Sequence, residues 1–177
     1  MVKLLAALAV AIALSAQTPA VDAAFDHFYN LEFDAALDAF TRLSASNPAD
    51  AELQNHLAQS ILFREMLRAG ALETELVTGG NAFLRREKMN PSAADQQHFF
   101  AAIDAALKTS NAAVAANPND NAAYYAQGVA YGLRANYRFL VTKSWMDALH
   151  DATDARKAHQ RVLALDPKRI DARLMLA

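Results

Sequence analysis

The chain has 177 residues and a net charge of −2, and its composition, 54% hydrophobic and 20% charged, excludes an intrinsically disordered protein. Cysteine is absent, which excludes disulfides, thiolate metal sites and a cysteine nucleophile. Alanine is abundant and glycine and proline number five each, so local propensity predicts an all-α fold.

The first residues have the pattern of a secretory signal peptide. A basic start at Lys3 precedes an uncharged apolar stretch, residues 4–16, which is too short to span a bilayer. Small residues then predict cleavage after Ala20 or Ala23, with an uncleaved anchor as the alternative. We therefore expect a signal peptide over residues 1–23, followed by a bacterial periplasmic or secreted domain, residues 24–177, that does not span the membrane after cleavage.

Breakers and caps divide the chain into predicted helices. A residue before proline is pushed out of the helical region, so each Asx-Pro pair should end a helix. The pairs are Asn47-Pro48, Asn90-Pro91, Asn117-Pro118 and Asp166-Pro167. Asp50, Asp120 and Ser144 are the predicted N-caps. The predicted helices cover residues 24–31, 33–46, 51–69, 71–88 with a break at Gly79-Gly80, 93–116, 121–141 and 144–165, and another begins near 169.

Three of these prolines have the same surroundings. An alanine stands twelve residues before each of them (Ala36, Ala106 and Ala155), and a small residue stands ten residues after (Ala58, Gly128 and Ala177). This register resembles the tetratricopeptide-repeat (TPR) family, in which the two helices of a repeat meet through small residues and proline closes the second helix. The resemblance implies antiparallel helix pairs stacked as a short right-handed solenoid.

The spacing departs from the family pattern. Pro48 and Pro118 are 70 residues apart, and Pro118 and Pro167 are 49 apart, whereas the family repeat is about 34 residues long. We therefore expect degenerate repeats with an inserted segment at about residues 70–95. Ser110 and His159 also stand where the family has a large apolar residue. Because the last predicted helix stops at Ala177, the pattern predicts a domain truncated at its C-terminus.

The resemblance also implies a function. Helical-repeat proteins bind extended peptides along the concave surface that their first helices form. The residues that would face this groove are Asn55, Gln59, Phe63, Tyr125, Val129 and Leu133. Amides can pair with a peptide backbone, and tyrosine supplies contact area at low entropic cost. Since none of the six is cationic, recognition of a C-terminal carboxylate is not expected. The implied protein is a scaffold for a protein or peptide partner, without catalysis or a cofactor.

The residues of one helical face indicate an alternative function. Asp147, His150, Asp151 and Asp154 lie at spacings of three and four, and Asp147-x-x-His150 has the acid-x-x-His form of metal-dependent helical bundles. This pattern predicts a metal-dependent bundle enzyme that uses Asp147, His150 and Asp151. The simpler interpretation is a solvated acidic face. Glu52 and His56 also lie four residues apart, but on another helix.

Charge is unevenly distributed along the chain. Residues 24–120 carry a charge of −6 and residues 121–177 a charge of +4, an asymmetry that can orient a partner or a second copy of the chain. No basic stripe with interleaved aromatic residues is present, so nucleic acid is not an expected partner. Trp145, Met146 and Leu149 are predicted core residues, and His159 is predicted to lie at the surface or in the groove.

Overall fold

The computed structural model describes residues 19–72 and 89–176, and within these ranges all regular secondary structure is helical. The helices are α1 (19–29), α2 (Phe33–Ser46), α3 (Ala51–Arg68), α4 (Ala93–Ala116), α5 (Asn121–Tyr137), α6 (Trp145–Leu165) and α7 (Ile170–Leu174). A π-helical turn, Arg138–Thr142, extends α5. The predicted all-α class is confirmed. Residues 73–88 of the predicted helix at 71–88, most of the predicted signal peptide and most of the predicted insertion lie outside the described residues, and Ala71 and Leu72 form a turn.

The first helix differs most from its predicted bounds, since it covers 19–29 where 24–31 was expected. Its end is a Schellman motif: the Glu32 N–H donates to the His27 carbonyl at 2.9 Å, and the Leu31 N–H donates to the Phe28 carbonyl at 3.1 Å. This motif requires a left-handed residue, and Leu31 takes that conformation with φ 63°. Glycine usually occupies the position, so the sequence contained no signal for this helix end.

The three turns that follow α2, α4 and α6 share one hydrogen-bonding pattern. Each helix ends directly before an Asx-Pro pair, and the Asx N–H donates to the carbonyl four residues earlier, at 2.8 to 3.0 Å. The residue three positions after the Asx then donates its N–H back to the Asx carbonyl, at 3.0 to 3.2 Å. Proline forces the preceding residue out of the helical region, which explains why all three helices stop at this point. The predicted helix ends at these pairs are confirmed.

Capping explains where the following helices begin. The Asp50 carboxylate accepts the backbone N–H groups of Glu52 and Leu53, and the Asp120 carboxylate accepts that of Ala123, as predicted. Ser144 occupies the N-cap position of α6, but its side chain makes no capping hydrogen bond; it lies 3.1 Å from the Thr142 hydroxyl, which donates to it. An additional cap is found at Ser92, which accepts the Asp95 N–H at the start of α4.

Each helix from α2 to α6 packs against the next one in the chain, α7 packs against α6, and α3 also contacts α5. The turns of three to four residues after α1, α2, α4 and α6 make the helices that they join antiparallel neighbours. The core is built mainly from α1 to α5, with Phe40, Ile61, Phe99, Ile103 and Tyr137 fully buried. Within the described ranges, none of the helices combines the length and the apolar character that a membrane span needs.

The beginning of α6 corrects a prediction. Trp145, Met146 and Leu149 were expected in the core, but they are 46%, 65% and 59% exposed. The residues that α6 buries against α5 lie on its opposite face and are mostly small or polar: Ala148, Asp151, Ala155, Ala158, His159 and Val162. Small side chains let the two helices approach closely, so the buried face is not the one with the largest apolar residues.

Candidate functional site

A cleft of about 260 Å³ lies between α3 and α5. Its α3 wall consists of Glu52, Asn55, His56 and Gln59, and its α5 wall of Tyr125, Ala126, Val129 and Leu133. On each helix these residues recur every three or four positions, the spacing that places side chains on one helical face. One wall is therefore polar and can form hydrogen bonds, whereas the other is largely apolar.

Five of the six predicted groove residues line this cleft. They are Asn55, Gln59, Tyr125, Val129 and Leu133. Phe63 does not line it, because its ring packs against Phe28 and Phe33, with centroids 5.2 and 6.2 Å away. At this position of α3, aromatic residues of α1 and α2 cover the helical face.

Two residues of the α3 wall were not predicted as groove residues. Glu52 and His56 precede Asn55 and Gln59 by three residues each, so the same helical spacing contained the signal. His56 forms the inner part of the wall, with its ring 4.7 Å from that of Phe25 and 5.3 Å from that of Phe40. Burial lowers the pKa of His56, although the charge of Asp50 acts in the opposite direction. The imidazole is therefore neutral at pH 7.

Asn55 connects the two walls. It is 1% exposed, and its side-chain Nδ2 donates to the Ala126 carbonyl at 2.9 Å. Its Oδ1 is buried and receives no hydrogen bond from the described residues. A buried acceptor without a donor destabilises a protein by roughly 1–3 kcal/mol. An N–H group that donates to this atom would remove that penalty.

The C-terminal part of the chain holds the Tyr125 ring in place. The Arg169 guanidinium carbon lies 4.1 Å from the ring centroid, and the ring of His159 meets it edge to face at 5.6 Å. Arg169 is itself held by the Asn121 side-chain oxygen, to which its Nη1 donates at 3.3 Å. Burial raises the pKa of the Tyr125 hydroxyl, so it is a neutral hydrogen-bonding group at pH 7.

A larger hollow of about 730 Å³ adjoins the cleft and shares Glu52 and Ala126 with it. It lies where the turn after α2, the end of α4 and the start of α5 meet, and its lining is rich in alanine. The two N-cap residues Asp50 and Asp120 also line it. Because of the shared residues, the polar wall of the cleft continues towards the two Asx-Pro turns.

The predicted acidic face on α6 has a different organisation from the one expected. Asp151 is 2% exposed and therefore not part of a solvated face. Arg134 contacts its two oxygens at 3.0 and 2.7 Å, and Arg138 approaches at 2.8 Å. Asp147 and His150 are exposed on the same helix, and Asp154 pairs with Lys157. Across residues 19–72 and 89–176, no three His, Asp or Glu side chains are grouped so that they could hold a metal ion.

His159 also corrects an expectation, because it is fully buried. Its ring lies over Gly128, where a Cβ atom would come within 2.6 Å of two ring atoms. The glycine thus makes room for the histidine between α5 and α6.

Comparisons with known proteins identify no relative: no family model matches the chain, and neither a curated protein nor a solved structure matches it significantly.

Proposed function

We propose that this chain is an exported helical-repeat scaffold of the tetratricopeptide kind, which binds an extended peptide segment of a protein partner between α3 and α5 and has no catalytic role. The observation that carries the proposal is the cleft itself. Five residues chosen for a groove from the repeat register line one cavity, and the buried Asn55 Oδ1 there has no hydrogen-bond partner among the described residues.

The proposed architecture is a short right-handed solenoid in which α1, α3, α5 and α7 are the first helices of successive repeats. Three features support it. The turns after α2, α4 and α6 have the same hydrogen bonds. The small residues Ala36, Ala58 and Ala106 of the repeat register are 0% exposed. Helices α3 and α5 are in contact although α4 separates them in the chain, as first helices of adjacent repeats are.

The cleft is suited to an extended chain. An extended backbone presents N–H and carbonyl groups along its length, and the amides of Asn55 and Gln59 stand on one wall to meet them. Alternate side chains of the peptide would contact the apolar wall formed by Tyr125, Val129 and Leu133.

Selection of peptides tests the proposal. A random peptide library is displayed on phage and selected on the immobilised protein, and each enriched peptide is then measured against two variants. Val129→Trp fills the cleft, whereas Ala101→Trp places the same side chain on an exposed position of α4. We expect peptides that bind the original protein and Ala101→Trp but lose binding to Val129→Trp. If every enriched peptide binds all three proteins alike, the cleft is not the binding site.

A further inference from the structure

Resting on the proposed peptide-binding function, we propose that the occupant of the α3–α5 cleft is a basic segment that inserts a lysine or arginine side chain beside Glu52 and Asn55. The charged residues that line the cleft and the adjoining hollow favour a basic ligand. Glu52 lines both the cleft and the adjoining hollow, and Asp50 and Asp120 line the hollow, whereas neither lining contains a lysine or an arginine. The two linings together are therefore acidic.

The three carboxylates are not equivalent. Those of Asp50 and Asp120 accept backbone N–H groups at the starts of α3 and α5, so helix termini already stabilise them. Glu52 also lies in the first turn of α3, but it is exposed and forms no ion pair with any described residue. The carboxylate that remains for a ligand is that of Glu52.

The side chain of Asn55 also favours a ligand that carries hydrogen-bond donors. Its Oδ1 is an acceptor, is buried, and receives no hydrogen bond from the described residues. Glu52 and Asn55 are three residues apart on α3, so their side chains lie on the same helical face. Both need donors. Lysine and arginine side chains carry donors and no acceptors, whereas a carboxylate would leave Oδ1 unpaired and would be repelled by Glu52.

The opposite wall fits the rest of a basic side chain. Tyr125 and Val129 provide an apolar surface for the methylene stem of lysine or arginine. Arg169 at the Tyr125 ring is a positive charge that acts against a basic ligand. However, the charges of Asp171 and Glu52 oppose the effect of Arg169 on the pKa of the Tyr125 hydroxyl.

The experiment uses the peptides whose binding is lost in Val129→Trp. We expect lysine or arginine to be enriched at one position of these peptides. Glu52→Gln should weaken their binding about threefold or more at low salt, the effect of one partly exposed charge pair. Asp38→Asn, which removes a negative charge from an exposed position of α2 outside the cleft, should leave binding unchanged. Raising the salt from about 0.02 M to about 0.5 M should weaken binding to the original protein more than to Glu52→Gln.

The outcomes separate this inference from the function on which it rests. Cleft-dependent peptides that lack basic residues, or that bind Glu52→Gln as tightly as the original protein, would overturn the basic ligand and leave the peptide-binding function standing. If no selected peptide depends on the cleft, both are overturned. Circular dichroism of Glu52→Gln and Asp38→Asn establishes that the two variants are equally folded.

Discussion

A single methyl group added at Gly128 should destabilise the protein. A Cβ atom at this position would lie 2.6 Å from His159 Cε1 and Nε2, closer than real Cβ contacts. The ring is buried between α5 and α6, so a shift of the ring has to be accommodated by the packing of these helices. Overpacking of this kind destabilises a protein by roughly 1–3 kcal/mol.

We therefore expect Gly128→Leu to lower the free energy of unfolding by about 1–3 kcal/mol in chemical denaturation. Ala58→Leu, at the equivalent fully buried position of α3, should act in the same direction. Gly132→Ala is the matched control, because its Cβ would meet only Met175 Cε at 3.5 Å. An unchanged midpoint in both leucine variants would contradict the repeat register.

Burial of the His159 ring also makes the free energy of unfolding depend on pH. Burial lowers the pKa of His159 below its ordinary value of 6.5, and the charge of Arg169 acts in the same direction, although the Gly128 backbone acts against them. The unfolded chain therefore binds protons more readily than the folded one, and stability decreases as pH falls below about 6.5 towards the folded-state pKa. Above about pH 7 this contribution is fully present.

We expect His159→Phe, which keeps an aromatic ring but removes the titrating group, to flatten the dependence of unfolding free energy on pH between about 5 and 7. Part of the slope should remain, because burial also lowers the pKa of His56. His150→Gln, which replaces an exposed histidine of the same helix, is the control. An identical slope in His159→Phe and the original protein would show that His159 does not carry this dependence.

At the level of elements, Asp151 joins α6 to the end of α5. Its carboxylate is buried and is shared by Arg134 and Arg138, which lie in α5 and in the π-helical turn. Removing one partner of a buried ion pair leaves an uncompensated charge and destabilises a protein by about 3–5 kcal/mol. The remaining exposure of the two arginines, 19% and 28%, places the expected effect at or below the lower end of this range.

We accordingly expect Asp151→Asn to lower the unfolding free energy by roughly 2–3 kcal/mol, whereas Asp147→Asn on the exposed side of α6 should change it by less than about 0.5 kcal/mol. This pair of variants also tests the alternative metal-dependent function. If Asp151→Asn were as stable as the original protein and instead lost a stoichiometric bound metal, the carboxylate would be a ligand and not a structural ion-pair partner.

For the molecule as a whole, the structure favours one of the two cleavage sites proposed for the signal peptide. Val21 packs against the core, and Ala24 and Phe28 of the same helix are buried. Cleavage after Ala20 would keep Val21 in the domain, whereas cleavage after Ala23 would remove it. On the proposal that the protein is exported, we expect N-terminal sequencing of its mature form to begin at Val21. A sequence beginning at Met1 would contradict the predicted signal peptide.

The sequence by itself determined the helical class and nearly all described helix bounds, because these depend on local chemistry. Asx-Pro pairs stop helices through backbone sterics, and aspartates at positions 50 and 120 cap them, whatever the rest of the chain does. The end of α1 is the exception. A leucine takes the left-handed conformation there, and only its surroundings can enforce that.

Only the tertiary structure decided how side chains far apart in the chain are used. Asp151 and His159 have the residue types of a surface, yet both are buried, because Arg134 lies opposite one and Gly128 opposite the other. Helical spacing predicted five cleft residues, but not that Phe63 would be covered by Phe28 of α1. Spacing records which residues share a helical face, whereas the packing of neighbouring helices determines which part of that face stays open.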